Sequence, residues 1–372
     1  MVALVLSGGG ARASYQVGVV KGVLEIYGKR DNPFSIICGT SAGAINAGYL
    51  ASRADNISQG INDLHDLWAA LHPLDIYDTT WKMALRNIFR LSKSAAVARG
   101  DRGIAVLDNK PLRKVVDDWM DFHAVKRNLE SKKLRNLCIT AMDYYTGESV
   151  SFYEGEPIEP WQRAHRRGVY SDITTDHIIA SAAIPILFPP QRVNGMFFGD
   201  GALRQINPLS PAIHLGAKQL FVVGVSANAS IHKPEFCTFE PPSIAQVAGH
   251  QLNREFIDNL EADIEMATRF NHLIDAVAGA TLSAESLHKL DILVVAPSMP
   301  IDEITVKYLH RQPRSMRFLF RILGAQGRGA GASFASYLMF EGGFCKELMA
   351  LGYRDAWDQA DSIRAFFKKS AA

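Results

Sequence analysis

Cysteine is scarce. The 372 residues include only four, Cys38, Cys138, Cys237 and Cys345, far apart and without a C-x-x-C spacing. That excludes a thiolate zinc site and a disulfide framework; the four read as buried thiols in a reducing compartment, with Cys38 and Cys138 inside apolar, strand-like runs. An excess of one charge is missing too, since 40 basic residues against 38 acidic ones leave a formal charge of +2. A dedicated nucleic-acid binder carries a strongly basic balance, so no nucleic-acid partner is expected. No run approaches the ~18 consecutive apolar residues of a membrane span, which limits any membrane contact to a peripheral one. The 11 histidines form no H-E-x-x-H or comparable ligand spacing, and neither a catalytic metal nor a cofactor is expected. Low-complexity tracts and internal repeats are absent; 48% hydrophobic and 21% charged residues exclude the disordered and fibrous classes. The opening apolar run lacks a basic flank and meets glycines after Leu6, so we expect a first strand rather than a signal peptide, and a cytoplasmic location.

What is present points to an α/β fold. Ala3 to Leu6, Ser35 to Cys38, Leu220 to Val223 and Asp291 to Val295 are short apolar runs without alternation, as expected of strands buried on both faces. A helix-like stretch from about Ser14 to Tyr27, closed by Gly28, separates the first two runs and makes a βαβ unit. The expected fold class is a three-layer sandwich, a mainly parallel central sheet flanked by helices, plus a helical C-terminal extension. Leu134 to Met142 and Ser149 to Tyr153, joined by a turn at Tyr145-Thr146-Gly147, read as a hairpin at a sheet edge. Residues 52–130 look helix-rich, interrupted by a small-residue, basic surface loop at Ser92 to Gly103. A catalytic domain at 1–300, its motifs within 1–215, and an extension at 301–372 packed on the core are the expected organisation.

Gly39-Thr40-Ser41-Ala42-Gly43 follows the second strand and precedes a helix-like run. A nucleophile elbow needs this setting, because its tight strand-to-helix turn leaves no room for neighbouring Cβ atoms. Ser7-Gly8-Gly9-Gly10-Ala11-Arg12 follows the first strand. Parallel strands emerge on the same side, so this loop can lie beside Ser41 and offer N–H groups, which makes Gly8, Gly9 and Gly10 candidates for an oxyanion hole, with Arg12 orienting the loop or a substrate phosphate. The same residues satisfy a G-x-G-x-x-A dinucleotide fingerprint, but the second strand ends in Cys38-Gly39 where that site wants an acid. Phe198-Gly199-Asp200-Gly201-Ala202 supplies a candidate base, Asp200, expected exposed at a strand end or sharp turn.

These three blocks, in this order, resemble the patatin-like phospholipases. Supporting likeness comes from Ala180-Ser181-Ala182-Ala183-Ile184-Pro185, Asn207-Pro208 and the Thr140 to Gly147 stretch, and it covers about residues 1 to 215. The resemblance implies a Ser-Asp dyad without histidine: Ser41 as nucleophile, Asp200 as base within the Asp200-Gly201-Ala202 motif, and the Gly8 to Gly10 loop as oxyanion hole. It implies a serine esterase acting on phospholipid or lysophospholipid through an acyl-enzyme. Ala13 departs from the family pattern, which usually has glycine after the basic residue. The elbow follows only the second strand, unlike the α/β-hydrolases with their Ser, Asp/Glu, His order, and late histidines such as His288 and His310 read as surface or structural. Arg311, Arg314, Arg317 and Arg321 fall on roughly one helical face, compatible with a basic amphipathic helix on anionic lipid or with a solvated face over a core. An acyltransferase, resolving the same acyl-enzyme with an alcohol, and a dinucleotide- or lipid-binding module with an idle Ser41 are the alternatives.

Overall fold

The four apolar runs pair side by side in the computed structural model, which describes residues 1–77, 105, 107–226, 241, 243–277, 288–325 and 330–370. Its strands are β1 (Val2–Leu6), β2 (Ile36–Thr40), β3 (Asn136–Asp143), β4 (Ser149–Gly155), β5 (Gln162–Arg163), β6 (Arg166–Tyr170), β7 (Gln191–Val193), β8 (Met196–Asp200), β9 (Gln219–Val223) and β10 (Asp291–Val295). They form one sheet in the order β10-β9-β1-β2-β3-β4-β6-β5, with β8 joined to β3 and β7 to β8 off that path. From β10 to β3 every pairing is parallel. The crossover from β1 to β2 is helix α1 (Ser14–Tyr27), whose last turn is closed by Gly28 in the left-handed region at φ 70, a conformation that glycine adopts without a Cβ penalty.

Two expectations need correction. The β3–β4 hairpin is antiparallel as read, but it lies inside the sheet, because β4 also pairs with β6 in parallel. Strand β10 is only half-buried apart from Val295, because it forms the sheet's edge beside β9. Alternation within the strands splits the core into two layers. Leu4, Leu6, Ile37, Ile139 and Val223 face one hydrophobic cluster, while Ala3, Val5, Ile36, Cys138 and Val222 face a smaller one, as the period of two requires.

Helix α2 (Ala42–Ser52) packs in the larger layer. Helices α3 (Ile57–Ala70), α4 (Pro73–Ile76), α5 (Lys110–Trp119) and α6 (Phe122–Glu130) bear out the helix-rich stretch after residue 52; the loop expected at Ser92 to Gly103 lies outside the described residues. Helix α7 (Thr175–Ser181) precedes β7 and β8. In the smaller layer stand α8 (Ser210–His214), which follows β8, and, after α9 (Ile244–Asn253) and a π-helical turn at Arg254–Asp258, α10 (Asn259–Val277).

The chain beyond β10 is helical: α11 (Ile301–Tyr308), α12 (Arg314–Leu323), α13 (Ala330–Tyr337), α14 (Gly342–Asp358) and α15 (Ala360–Ser370). These helices contribute to the larger cluster directly, Phe344, Leu348, Phe366 and Phe367 among them. A Cβ on Gly18 of α1 would fall 1.9 Å from the Met349 carbonyl oxygen of α14. Only glycine permits so close a backbone crossing, which draws the C-terminal helices against the first one.

Candidate active site

Strand register explains why Ser41 and Asp200 meet across 159 residues. Strand β2 ends with Thr40 opposite Thr140 of β3. The next β3 residue, Ala141, has Val150 on one edge and Asp200 on the other, so β8 takes over the edge that β2 has just left. The residue after Thr40 is thereby delivered to the end of β8. Ser41 Oγ donates to Asp200 Oδ2 at 2.5 Å.

The turn holding Ser41 is strained. Its φ of 56 is left-handed, which for a non-glycine residue costs on the order of 1–3 kcal/mol and persists only where the surroundings impose it. The surroundings are close-packed: a Cβ on Gly39 would lie 2.4 Å from the Gly43 carbonyl oxygen, and one on Gly43 the same distance from that of Leu6. Ala42 opens α2 as a buried residue, and the Thr40 hydroxyl donates to Gln205 Oε1 at 2.7 Å. The Ser41 N–H donates to Ser181 Oγ at 2.9 Å, and the Ser181 hydroxyl donates onward to the Thr140 carbonyl at 2.6 Å.

Asp200 is fully buried rather than exposed at its strand end, because β8 is paired with β3 there and the Asp200 N–H is bonded to the Ala183 carbonyl at 2.9 Å. Its Oδ1 accepts from the Ala202 N–H at 3.0 Å, across Gly201, which packs on the Thr140 carbonyl. Burial pushes the carboxyl up to about 7, against the opposing hydrogen bonds from Ser41 and Ala202. Charge without water is the cause. A carboxyl held there exchanges its proton near neutral pH.

The glycine loop lies beside the serine. A Cβ on Gly8 would come 3.1 Å from the Ser41 Cβ and 2.4 Å from the Phe256 ring. Gly10, at φ 55, has the Tyr337 carbonyl oxygen where a side chain would start. No acceptor among the described residues takes the N–H groups of Gly8, Gly9 or Gly10, which leaves them available to an incoming oxygen. A pocket beside this loop is walled by Val5, Leu6, Cys38, Pro208 and Phe256, with Ser7, Thr40, Gln205 and Glu255 as its polar members.

Arg12 is placed differently from the loop it follows. Its buried guanidinium donates to Ser336 Oγ at 2.6 Å, to Ser333 Oγ at 2.8 Å and to Asp302 Oδ1 at 3.2 Å, and it covers the Tyr337 ring at 4.3 Å. Of the two roles open to it, holding the loop is the one this arrangement supports, since Nε and Nη2 are engaged by α11 and α13.

Residues 4–213, more than half of the chain, match the family model described as patatin-like phospholipase. The chain belongs to the patatin-like phospholipase family. Proteins of this family are in general lipid acyl hydrolases. Comparison with curated proteins returns no match. The patatin-like region contains the glycine loop, the elbow and Asp200, whereas the residues that brace the loop from outside, Phe256, Ser333, Ser336 and Tyr337, come later in the chain. Phe256 stacks on Tyr337 at 5.3 Å, and the Tyr337 hydroxyl donates to Asn253. Nothing local in those segments signals a site.

Ser181 was visible only as part of a family-like block. Among the described residues its hydroxyl is the one side chain that links the Ser41 amide to β3. Ser181→Ala should leave a buried N–H and a buried carbonyl short of a partner, at a cost of about 1–3 kcal/mol. A lowered urea midpoint at unchanged slope, with kcat reduced on the order of tenfold and KM moved less, is the expected outcome. Wild-type kcat would show that the elbow does not depend on this bond.

Proposed function

We propose that this patatin-like protein is a serine esterase of phospholipase A or lysophospholipase type, working through Ser41 and Asp200. The observation that carries the reading is the 2.5 Å hydrogen bond from the Ser41 hydroxyl to a fully buried carboxylate. Ser41 Oγ attacks the ester carbonyl while its proton passes to Asp200 Oδ2, and the carbonyl oxygen becomes an oxyanion facing the Gly8 to Gly10 amides. Collapse of that intermediate breaks the ester C–O bond, and the proton on Asp200 goes to the leaving alkoxide. Water then attacks the acyl-serine, gives its proton to Asp200, and the second collapse returns that proton to Ser41 Oγ with release of the fatty acid.

The lining beside Gly8 is mostly apolar, which favours contact with acyl carbon over water. Residues 1–300 act in this reading as the catalytic unit, and 301–372 as an extension that clamps the glycine loop through Arg12. Cys38 and Cys138 lie opposite each other on adjacent strands and are buried; a reducing, cytosolic location is part of the proposal, on the scarcity and spacing of the cysteines. Incubation with a mixed lipid extract, followed by mass spectrometry, tests the reading: fatty acid and lysolipid or glycerophosphodiester should accumulate with wild type and not with Ser41→Ala. Transfer of acyl groups to an added alcohol in preference to water would instead make the protein an acyltransferase. No Ser41-dependent change in any lipid would refute both.

A further inference from the structure

Helix α12 presents an outward face unlike an ordinary solvated one. Its inner side is conventional, with Met316 and Phe320 buried. Outside, Phe318 and Ile322 are each 61% exposed, next to exposed Arg314, Arg317 and Arg321. At about 100° per residue these five fall within roughly 140° of arc, the arginines along one edge and the two apolar side chains along the other. The ten residues include no acid, and among the described residues none of the three arginines has an ion-pair partner. Arg311 does not belong to this face: it precedes the helix, pairs with Glu341 and lies over the Tyr308 ring.

The patch continues onto α9. The Ser243 hydroxyl donates to the Gly324 carbonyl at 3.3 Å, joining the start of α9 to the end of α12. That start carries Ile244, 67% exposed, and Val247, 51% exposed. Four large apolar side chains left to water in neighbouring turns mark an interaction surface rather than scattered exposure. Helix α9 then runs on to the turn whose Phe256 ring lies against Gly8. From Val247 to Phe256 the path is nine residues, about 14 Å of helix.

We infer that this face docks the protein on a lipid surface bearing anionic headgroups, with Phe318 and Ile322 entering the acyl boundary and Arg314, Arg317 and Arg321 at the phosphates. The chemistry fits both halves of the patch. Arginine stems extend along apolar surface while their heads reach charge, and apolar residues beside them gain from leaving water. A second copy of this chain fits less well, since a two-fold contact through α12 would set arginines against arginines. A purely acidic protein or polynucleotide would leave Phe318 and Ile322 without an apolar partner. The net charge of +2 leaves the attraction to the local face. The inference rests on the acyl-hydrolase reading for its purpose, delivering lipid to Ser41, but its test is binding.

The test is co-sedimentation of the full chain, in its Ser41→Ala form so that lipid is not consumed, with vesicles of phosphatidylcholine alone or mixed with phosphatidylglycerol. Binding to the mixed vesicles is expected, weak or none to phosphatidylcholine, with attachment falling as salt rises. Phe318→Ser with Ile322→Ser should lower partitioning about tenfold or more. Arg314→Gln, Arg317→Gln and Arg321→Gln together should lower it on the order of a hundredfold, each basic residue contributing roughly fivefold. In the Ser41 background, both variant sets should keep their hydrolysis of a soluble p-nitrophenyl ester, which also reports an intact fold. Undiminished binding by either set, or no binding by the parent, overturns the inference, as does a drop in solution mass in the variants, which would identify a second copy as the occupant. Vesicle binding by a protein with no esterase activity would instead refute the acyl-hydrolase reading and leave the docking face standing.

Discussion

Asp200→Asn should lose at least about a thousandfold in kcat on a soluble ester, with KM little changed, and Ser41→Ala should lose as much or more. The substitution at Asp200 is informative because it is nearly isosteric. The asparagine Oδ1 can still accept from the Ala202 N–H, and its Nδ2 can donate to Ser41 Oγ, so both hydrogen bonds of the present carboxylate keep a geometry. What disappears is the capacity to take a proton. Among the described residues no histidine bonds to the Asp200 side chain, whose hydrogen bonds go to Ser41 and Ala202, and His288 and His310 are both exposed. Steady-state rates, together with labelling by a fluorophosphonate, check the pair. Labelling should vanish in Ser41→Ala and slow strongly in Asp200→Asn, because the probe also needs a deprotonated serine. An Asp200→Asn protein with wild-type turnover would sink the dyad.

The elbow could be read from the chain because its constraints are local, whereas those of the glycine loop are long-range: Cβ atoms on Gly8, Gly9 and Gly10 would meet Phe256, Val225 and Tyr337. Gly39 and Gly43 are dictated by atoms within a few residues or on the neighbouring strand, and a short motif carries that requirement. Asp200 was legible as a candidate base but not as a buried one. Its burial depends on β8 pairing with the end of β3, a long-range event that no feature of Phe198-Gly199-Asp200 announces. The same holds for Ser181, whose importance comes from reaching both the Ser41 amide and Thr140. Arg12 is a sharper case. Beside three glycines it could orient the loop or hold a phosphate, and its partners Ser333 and Ser336 lie 321 and 324 residues away; side chains in contact at such separations leave no periodicity or spacing to read. The hairpin was correctly paired but wrongly set at an edge, since a parallel neighbour such as β6 arrives from a later, unrelated stretch. Of the four spaced arginines, three share the face that periodicity gave them; the fourth is diverted by a turn before Pro313.

Wild type and Asp200→Asn should also differ in stability, in a way that depends on pH. In the unfolded chain the carboxyl titrates near 3.9; in the folded protein, burial holds it at about 7. Between those values the folded state keeps a proton that the unfolded state has released, so wild-type stability falls as pH rises. The contribution is fully present below about pH 4 and is lost by the time pH has passed about 7. A gap of roughly three units corresponds to on the order of 4 kcal/mol. Asparagine does not ionise, and the remaining groups are common to both proteins, so their difference isolates Asp200. Urea unfolding should therefore find the two alike near pH 4 and the variant more stable by on the order of 4 kcal/mol at about pH 8. Over the same interval wild-type kcat/KM should climb and level off above about 7, since only the ionised carboxylate can accept the serine proton. Parallel stability curves for the two proteins would mean that Asp200 is ionised across the range, and the rise in kcat/KM would then belong to another group. If the curves diverge as expected, the base is ionised only at a cost to the fold, and the site works in the pH range where it is least stable.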